Sequence, residues 1–340
     1  MHVNRGFKLK RFVGPSLQLL KWVAVTRETK LLRPVTKKAA KLTHLATERP
    51  NPAAQDLDLK SSLEIARIIN AEDAKVAAAV KAALPEIARG IDLIAKALKQ
   101  GGRLIYVGAG TSGRLAALDA SECPPTFNTN PKTVQFVIAG GTKALHSATE
   151  ASEDSPELGQ REMAKRNPRK NDVVVGIAAS GRTPFTIAAV EYARRHGAKT
   201  IAVTCNPASP LQKAAHIAIV AEVGPEVIAG SSRMKAGSAQ KMILNMLSSG
   251  AMARLGYVYG NLMINVHVKN EKLLERGLTI LQRAAGINRE AAEQALKAAG
   301  NHVPVALVML QADVTRAQAA QALKSTQGHV REAITAARAL

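Results

Sequence analysis

Residues 103–114 have the sequence RLIYVGAGTSGR, and this stretch decides the fold. The run from Arg103 to Val107 is short and rich in β-forming residues, which predicts a buried strand. The glycines after it predict a tight turn, and a helical pattern begins at Leu115. The stretch therefore predicts a strand, a glycine-rich turn and a helix in immediate succession.

Similar β-rich runs recur along the chain, each followed by a loop rich in small or turn-forming residues. Strands that alternate with helical segments predict a parallel sheet covered on both faces, which is a three-layer α/β fold. Ligands of such sheets bind beyond the carboxyl ends of the strands, where these loops lie. The further runs are residues 133–138, 172–177, 200–204 and 217–220.

Helical spacing of apolar residues dominates the rest of the chain. Two or three helices are predicted within residues 61–98, with Pro85 at a helix start or kink. A long helix is predicted over residues 234–253, and only helices from Glu271 onward. Asn288 is a predicted N-cap in this last part. The chain should therefore end in a small helical domain.

Composition fits that fold and argues against nucleic-acid binding. The chain has 340 residues, 46% of them hydrophobic but only 3% aromatic, which suits an aliphatic layered core. About half of its net charge of +21 lies at one end, because residues 1–46 hold 11 Lys and Arg against one acid, Glu28. We predict a disordered basic extension there and no nucleic-acid partner. A transit-like peptide, an anion-surface anchor and a later translation start are the alternatives.

The sequence argues against several other classes of protein. No apolar run reaches the roughly 20 residues that cross a bilayer, so no membrane association is predicted. Cys123 and Cys205 are too few and too far apart for a disulfide framework or a zinc site, which favours a reducing, cytoplasmic location. No metal and no cofactor are predicted. The loop Gly108–Gly113 matches GxGxxG, but Val137–Gly141 lacks the acidic residue that a dinucleotide site needs.

Two hydroxyl-bearing loops stand where predicted helices begin, and both are candidates for phosphate binding. Free backbone N–H groups and the helix dipole favour an anion there, and hydroxyl groups add donors without bulk. Ordinary N-capping by Ser and Thr is the competing interpretation. Two such loops on neighbouring strand ends favour a small phosphorylated ligand. The candidate residues are Gly110, Thr111, Ser112, Ser180, Gly181 and Thr183.

A third candidate segment places Ser231, Ser232, Arg233 and Lys235 at the start of a predicted helix. Its ordinary interpretation is a capped helix with a basic exposed side. However, positive charge in a first helical turn opposes the helix dipole, and an anion bound nearby would account for it. We therefore include these four residues among the predicted binding residues.

Glu122 and Glu153 are the candidate catalytic carboxylates. Glu122 precedes Pro124-Pro125, which predicts that it stands at a rigid bend where its helix stops. Two carboxylates in different environments can divide into a general acid and a general base. By spacing alone, either residue is more often an ordinary surface charge.

Six motifs over about residues 47–335 resemble those of the N-acetylmuramate 6-phosphate etherases, enzymes of bacterial cell-wall recycling. The resemblance implies a sugar isomerase (SIS) domain, a flavodoxin-like sandwich, over residues 47–275. It also implies a small ubiquitin-associated-like helical domain over residues 276–340, whereas residues 1–46 depart from the family. The motifs are TERPNP (47–52), GAGTSGRL (108–115), DASECPP (119–125), GIAASGRTP (176–184), GSSRMKAG (230–237) and NLM (261–263).

The resemblance further implies cleavage of a lactyl ether on a phosphorylated amino sugar. The sugar ring opens, a base removes the C2 proton, lactate leaves from C3 and water adds back. Matching motifs imply that Glu122 protonates the leaving oxygen and that Glu153 is the C2 base, with the division of roles left open. A homodimer with shared sites is implied, in which Arg233 or Lys235 acts on the other subunit's site. A non-catalytic sugar-phosphate sensor and a sugar-phosphate isomerase are the alternatives.

Overall fold

The computed structural model describes residues 45–147, 150–266, 268 and 270–339. The predicted basic extension lies outside the described residues, apart from Leu45 and Ala46. Within the described part of the chain, no helix is both long enough and apolar enough to span a lipid bilayer.

The described residues form one five-stranded sheet in the order β2-β1-β3-β4-β5. Every neighbouring pair is parallel, which confirms the predicted parallel sheet. Each strand coincides closely with one predicted run, and β1 lies between β2 and β3. The strands are β1 (Leu104–Gly108), β2 (Val134–Ile138), β3 (Val173–Ile177), β4 (Lys199–Thr204) and β5 (Ile217–Val220).

Helices precede, connect and cover these strands. They are α1 (Ser62–Asp73), α2 (Val76–Ala82), α3 (Leu84–Lys99), α4 (Gly110–Phe127), α5 (Glu150–Glu153), α6 (Pro156–Ala164), α7 (Pro184–Arg195), α8 (Pro210–Ala214) and α9 (Lys235–Arg254). Single 3-10 turns lie at Ala46–Glu48, Pro52–Ala54, Leu57–Leu59 and Gly141–Leu145.

The side chains of β1 divide between two apolar cores, one on each face of the sheet. Leu104 and Tyr106 belong to the core beneath α3, α4 and α9. Ile105 and Val107 belong to the core beneath α6, α7 and α8. This alternation is the two-residue period of a strand, and a parallel sheet with two apolar faces needs helices on both. The three-layer α/β prediction is confirmed.

The C-terminal part of the chain contains helices around a separate apolar core, as predicted. The Asn288 side chain accepts a hydrogen bond from the Ala291 N–H at 2.9 Å, which confirms the predicted N-cap. Ile264 and Val266 also belong to this core. The predicted boundary between residues 275 and 276 falls inside α10 and stays a prediction. The helices are α10 (Glu271–Ala285), α11 (Arg289–Ala298), α12 (Val303–Ala312), α13 (Arg316–Ser325) and α14 (Val330–Ala337).

The predicted end of α4 at Pro124-Pro125 is wrong. The helix continues through both prolines to Phe127 and is closed by Asn128, which has a left-handed backbone with φ of 53°. Both prolines stand in the last two turns, where their missing N–H groups cost α4 two hydrogen bonds without ending it. Glu122 therefore stands on an exposed helix face instead of at a bend.

Candidate functional site

A cavity of about 370 Å³ lies at the carboxyl ends of β1 and β3. We call it the carboxyl-edge pocket. The strand order reverses between these two strands, and sheets of this class bind ligands in the crevice at such a point. The pocket is lined by Thr47, Glu48, Ala109, Gly110, Thr111, Ser112, Arg114, Ala144, Glu153, Ala178, Ala179, Ser180, Thr183, Ser231, Ser232 and Arg233.

The N-terminus of α4 faces this pocket without a side-chain cap. Its N-cap residue is Ala109, whose methyl group cannot accept a hydrogen bond. Gly110 has φ of 51°, a left-handed backbone that favours glycine. The Ser112 hydroxyl donates to Gln240 Oε1 at 2.9 Å and so does not cap the helix. The first N–H groups of α4 are therefore available to an anion.

The N-terminus of α7 is arranged in the same way. Its N-cap residue is Thr183, whose side chain makes no capping hydrogen bond, and the Ser180 hydroxyl accepts from the Arg182 N–H at 3.2 Å. Gly181 shapes this loop without lining the pocket. Its φ is 65°, and a Cβ there would lie 2.3 Å from Ser209 Oγ, so only glycine fits. The N-capping interpretation of these hydroxyl groups therefore fails at both helices.

The start of α9 already has an anion of its own. The fully buried Glu226 carboxylate accepts hydrogen bonds from the backbone N–H groups of Lys235 and Ala236, at 3.0 and 2.9 Å. This is the end of a helix where the dipole favours negative charge. The anion expected from the sequence at this helix start is thus supplied by the protein itself.

Lys235 is buried and does not line the pocket, although the sequence predicts it as a binding residue. Its Nζ lies 2.5 Å from Glu72 Oε2 on α1, and Lys75 Nζ lies 2.5 Å from Glu72 Oε1. Burial raises the pKa of the Glu72 carboxyl, but hydrogen bonds from Lys235, Lys75 and Asn51 outweigh this effect and lower the pKa to about 2. The ion pair joins α1 to the start of α9.

The other predicted residues of this segment do line the pocket. Ser231 and Ser232 are half-buried there, and Arg233 is exposed. Arg233 and Arg114 are the cationic lining residues, whereas Glu48 and Glu153 are the anionic ones. Because two acids offset the two cations, an anionic ligand would depend chiefly on N–H and hydroxyl donors.

The structure places one of the two predicted carboxylates in the pocket. Glu153 Oε1 lies 3.0 Å from the position that a Cβ on Gly110 would occupy. Glu122 stands twelve residues beyond Gly110 on α4, which is about 18 Å along the helix at 1.5 Å per residue. Within one chain, Glu122 and Glu153 are therefore not brought together.

Three polar lining residues were not predicted from their chemistry: Thr47, Glu48 and Arg114. Thr47 is buried, and its Oγ1 accepts from Asn206 Nδ2 at 3.2 Å. Arg114 Nη2 donates to the Ser147 carbonyl at 3.0 Å. All three belong to motifs that carry the family resemblance, so those motifs could have indicated them.

Neither cysteine lies in the pocket. Burial raises the pKa of the Cys123 and Cys205 thiols to about 12, and both are free, so neither is an activated nucleophile. Within the described residues, no group of three His, Cys, Asp or Glu side chains is placed to hold a metal ion.

A larger cleft of about 500 Å³ lies at the opposite end of the sheet. It borders the segment before β1, the end of α9 and the turn before α14, where His329 stands. None of the predicted site residues lines it. The carboxyl-edge pocket is the cavity in which the predicted binding residues meet.

Two family models match parts of the chain. The glucokinase regulatory protein N-terminal SIS domain matches residues 86–194, and the C-terminal lid domain of glucokinase regulatory protein matches residues 260–300. The first match spans β1 to α7 and the second spans α10 and α11. Parts of the parallel-sheet domain and of the helical domain are therefore similar to domains of glucokinase regulatory protein.

Several relatives match over most of their length. An N-acetylmuramic acid 6-phosphate etherase from Vibrio vulnificus is 54% identical over 79% of this chain and 90% of its own. One from Photorhabdus laumondii is 51% identical over 87% and 99%. One from Symbiobacterium thermophilum is 56% identical over 80% and 91%. Among solved structures, a phosphoheptose isomerase from Francisella tularensis is 20% identical, with a TM-score of 0.47 over 57% of this chain and 100% of that one.

Proposed function

Because this chain belongs to the N-acetylmuramic acid 6-phosphate etherase family, we propose that it releases D-lactate from N-acetylmuramate 6-phosphate and leaves N-acetylglucosamine 6-phosphate. The observation that carries the proposal is the carboxyl-edge pocket. It combines two uncapped helix N-termini with a carboxylate, Glu153. These are a phosphate site and a proton acceptor in one cavity.

The phosphate of the substrate binds between the starts of α4 and α7. Both helices direct free N–H groups and the positive ends of their dipoles at the pocket, and neither end is occupied by a side-chain cap. Thr111, Ser180 and Thr183 supply hydroxyl groups beside them, whereas the Ser112 hydroxyl already donates to Gln240 Oε1. The start of α9 is a poorer phosphate site because Glu226 already fills it.

The ether is cleaved by elimination. Opening of the sugar ring makes C1 an aldehyde, which acidifies the C2 proton. Glu153 removes this proton, lactate leaves C3 with a proton on its ether oxygen, and water then adds to the double bond. A general base and a general acid each contribute about 10²–10⁴-fold to such steps. We assign the acid role to Glu122, which is the role that the family resemblance implies for it.

Glu122 can serve this role if two copies of the chain share each site. It lies too far along α4 to reach the pocket of its own chain, but it is exposed. Leu118 stands one turn earlier on the same face of α4 and is 48% exposed. An exposed leucine beside an exposed carboxylate supports contact between this face and a second copy.

Helix α1 supports a homodimer independently. Glu72 is its only buried residue, and the others are half-buried or exposed. Leu63 on α1 is 59% exposed, and Leu59 just before it is 81% exposed. An amphipathic helix whose apolar residues remain in contact with water is typical of a surface that packs in an oligomer.

A cytoplasmic location is consistent with two buried free thiols and a phosphorylated substrate.

The test is lactate release by the purified protein. D-Lactate should appear from N-acetylmuramate 6-phosphate, whereas unphosphorylated N-acetylmuramate should react far more slowly because it lacks the anion that the two helix ends bind. A sensor would bind the phosphorylated sugar without releasing lactate, and an isomerase would rearrange the sugar with the ether intact. Either result would contradict the proposal.

A further inference from the structure

A second carboxylate of the same chain, Glu48, stands in the carboxyl-edge pocket. It is the last residue of the 3-10 turn Ala46–Glu48, and its side chain is exposed to the cavity. The turn is fixed by Asn206, whose Oδ1 accepts from the Ala46 N–H at 3.1 Å and whose Nδ2 donates to Thr47 Oγ1 at 3.2 Å. Glu48 is therefore held at the site by its backbone.

The segment that follows this turn is held as well. Asn51 Nδ2 donates to the Pro225 carbonyl at 2.9 Å, and Asn51 Oδ1 accepts from the Ala53 N–H at 3.0 Å. The backbone is thus tied to the sheet domain on both sides of Glu48. Such anchoring holds a side chain in place better than a loop without tertiary contacts would.

Glu48 and Glu153 approach the pocket from different walls. Glu48 Oε2 lies 3.3 Å from the position that a Cβ on Gly230 would occupy, in the loop before α9. Glu153 Oε1 lies 3.0 Å from the corresponding position on Gly110, at the start of α4. Two acids on separate walls can act on different atoms of one sugar bound between them.

The proposed reaction needs proton transfer at three places on the substrate. Glu153 is assigned to C2 and Glu122 to the ether oxygen, so ring opening at O1 and O5 has no assigned group. If the phosphate binds at the starts of α4 and α7, as proposed above, the part of the pocket beside Gly230 is left for the rest of the sugar. Glu48 is the carboxylate beside Gly230, whereas the other charged lining residue of that loop, Arg233, is a guanidinium that cannot act as a base.

We propose that Glu48 opens the sugar ring, an inference that rests on the proposed function. Its carboxylate takes the proton from the C1 hydroxyl, and C1=O forms as the C1–O5 bond breaks. The same carboxyl then gives the proton to O5, which becomes the C5 hydroxyl. The proton has moved from O1 to O5, and Glu48 is again a carboxylate. The aldehyde needed for removal of the C2 proton is thereby made inside the pocket.

The test compares the natural substrate with a 4,5-dideoxy analogue, which has no hydroxyl that can close a ring on C1. Glu48→Gln should lower lactate release from N-acetylmuramate 6-phosphate by about 10²-fold, the usual scale for a lost acid–base group. On the open-chain analogue, the same variant should stay within about threefold of wild type, because the step it impairs is bypassed. Glu153→Gln should be inactive on both compounds, since C2 deprotonation is still required.

Asp58→Asn is the matched control, an exposed acid ten residues away that does not line the pocket. It should leave both rates unchanged, and thermal unfolding should show that all variants fold. An equal loss by Glu48→Gln on both compounds would overturn the ring-opening role, and so would full activity on the natural substrate. Absence of lactate release by the wild-type protein would instead reject the proposed function.

Discussion

Glu153 and Glu122 are expected to control different steps of one reaction. Glu153→Gln should abolish both lactate release and deuterium exchange at C2 in heavy water, because an amide cannot accept the C2 proton. Glu122→Gln should lower lactate release by about 10²-fold or more while C2 exchange persists, since only the acid is lost. Lactate assays and proton NMR in heavy water measure the two steps separately.

The matched control for both variants is Glu191→Gln, an exposed acid on α7 outside the pocket, which should behave as wild type. C2 exchange that survives in Glu153→Gln but disappears in Glu122→Gln would reverse the two roles. Full activity in both variants would reject these residues as the catalytic pair.

Ser180 and Thr183 should influence binding more than turnover. A phosphate remote from the breaking bond is held about equally in the ground state and the transition state, so Ser180→Ala and Thr183→Val should raise KM more than they lower kcat. Thr186→Val is the control, because Thr186 lies on α7 but is buried away from the pocket. Unchanged KM values in both pocket variants would place the phosphate elsewhere.

At the scale of elements, the Glu72–Lys235 ion pair is expected to hold α1 against α9. Lys235→Met removes the buried partner of Glu72 and leaves that carboxylate with the exposed Lys75 as its cation, so the free energy of unfolding should fall by up to about 3–5 kcal/mol. Lys75→Met is the control, because Lys75 contacts the same carboxylate from an exposed position and should cost less than about 1 kcal/mol. Urea unfolding at neutral pH measures both.

The same pair predicts an acid dependence. The folded-state pKa of Glu72 is lowered from 4.5 to about 2, so its stabilisation is fully present above about pH 4.5 and is lost as the pH falls toward 2. Glu72→Gln should be less stable than wild type at neutral pH. Between about pH 4.5 and 2, its free energy of unfolding should fall by less than that of wild type. Equal losses in the two proteins would contradict the assigned ionisation.

Local patterns predicted most elements but not the contacts between distant residues. The β1 run and the Asn288 cap follow from short-range rules, and both are confirmed. Lys235 looked like a binding residue because nothing in its neighbourhood indicates Glu72, which lies 163 residues away in the sequence. Glu226, which caps α9, was missed for the same reason. The sequence indicates that a negative charge is favoured at the start of α9, but it does not indicate that Glu226 supplies this charge.

The sequence predicted the parts of the candidate site in which a motif lies at a helix start. It did not predict the parts whose position depends on tertiary packing. Residues 180–183 form a loop as the sequence indicated, and residues 110–112, predicted as part of a turn before Leu115, are already the first turn of α4; both segments lie at neighbouring strand ends. The position of Glu122 depends on how far α4 continues past its prolines, and the spacing of the motif does not contain that information. Glu48 is held at the pocket by tertiary contacts of Asn206 and Asn51, which short-range sequence rules do not predict.

For the whole molecule, two inactive variants should restore each other if sites are shared. Glu122→Gln and Glu153→Gln, mixed in equal amounts and allowed to exchange subunits, should recover about a quarter of wild-type activity, because half of the dimers then hold one intact site of two. The proteins mixed without subunit exchange are the control. No recovery after demonstrated exchange would mean that both carboxylates act within one chain.

The uncapped ends of α4 and α7 also link the substrate to the rigidity of the protein. A bound phosphate would accept hydrogen bonds from the free N–H groups at both helix N-termini, so it would stabilise the first turns of α4 and α7. At a concentration of 100 times Kd, this would add about 2.7 kcal/mol to global stability. The backbone amides of Thr111, Ser112 and Phe185 should then exchange with deuterated solvent more slowly. Without ligand, the first turns of α4 and α7 should open before the rest of these helices, because their first N–H groups have no acceptor.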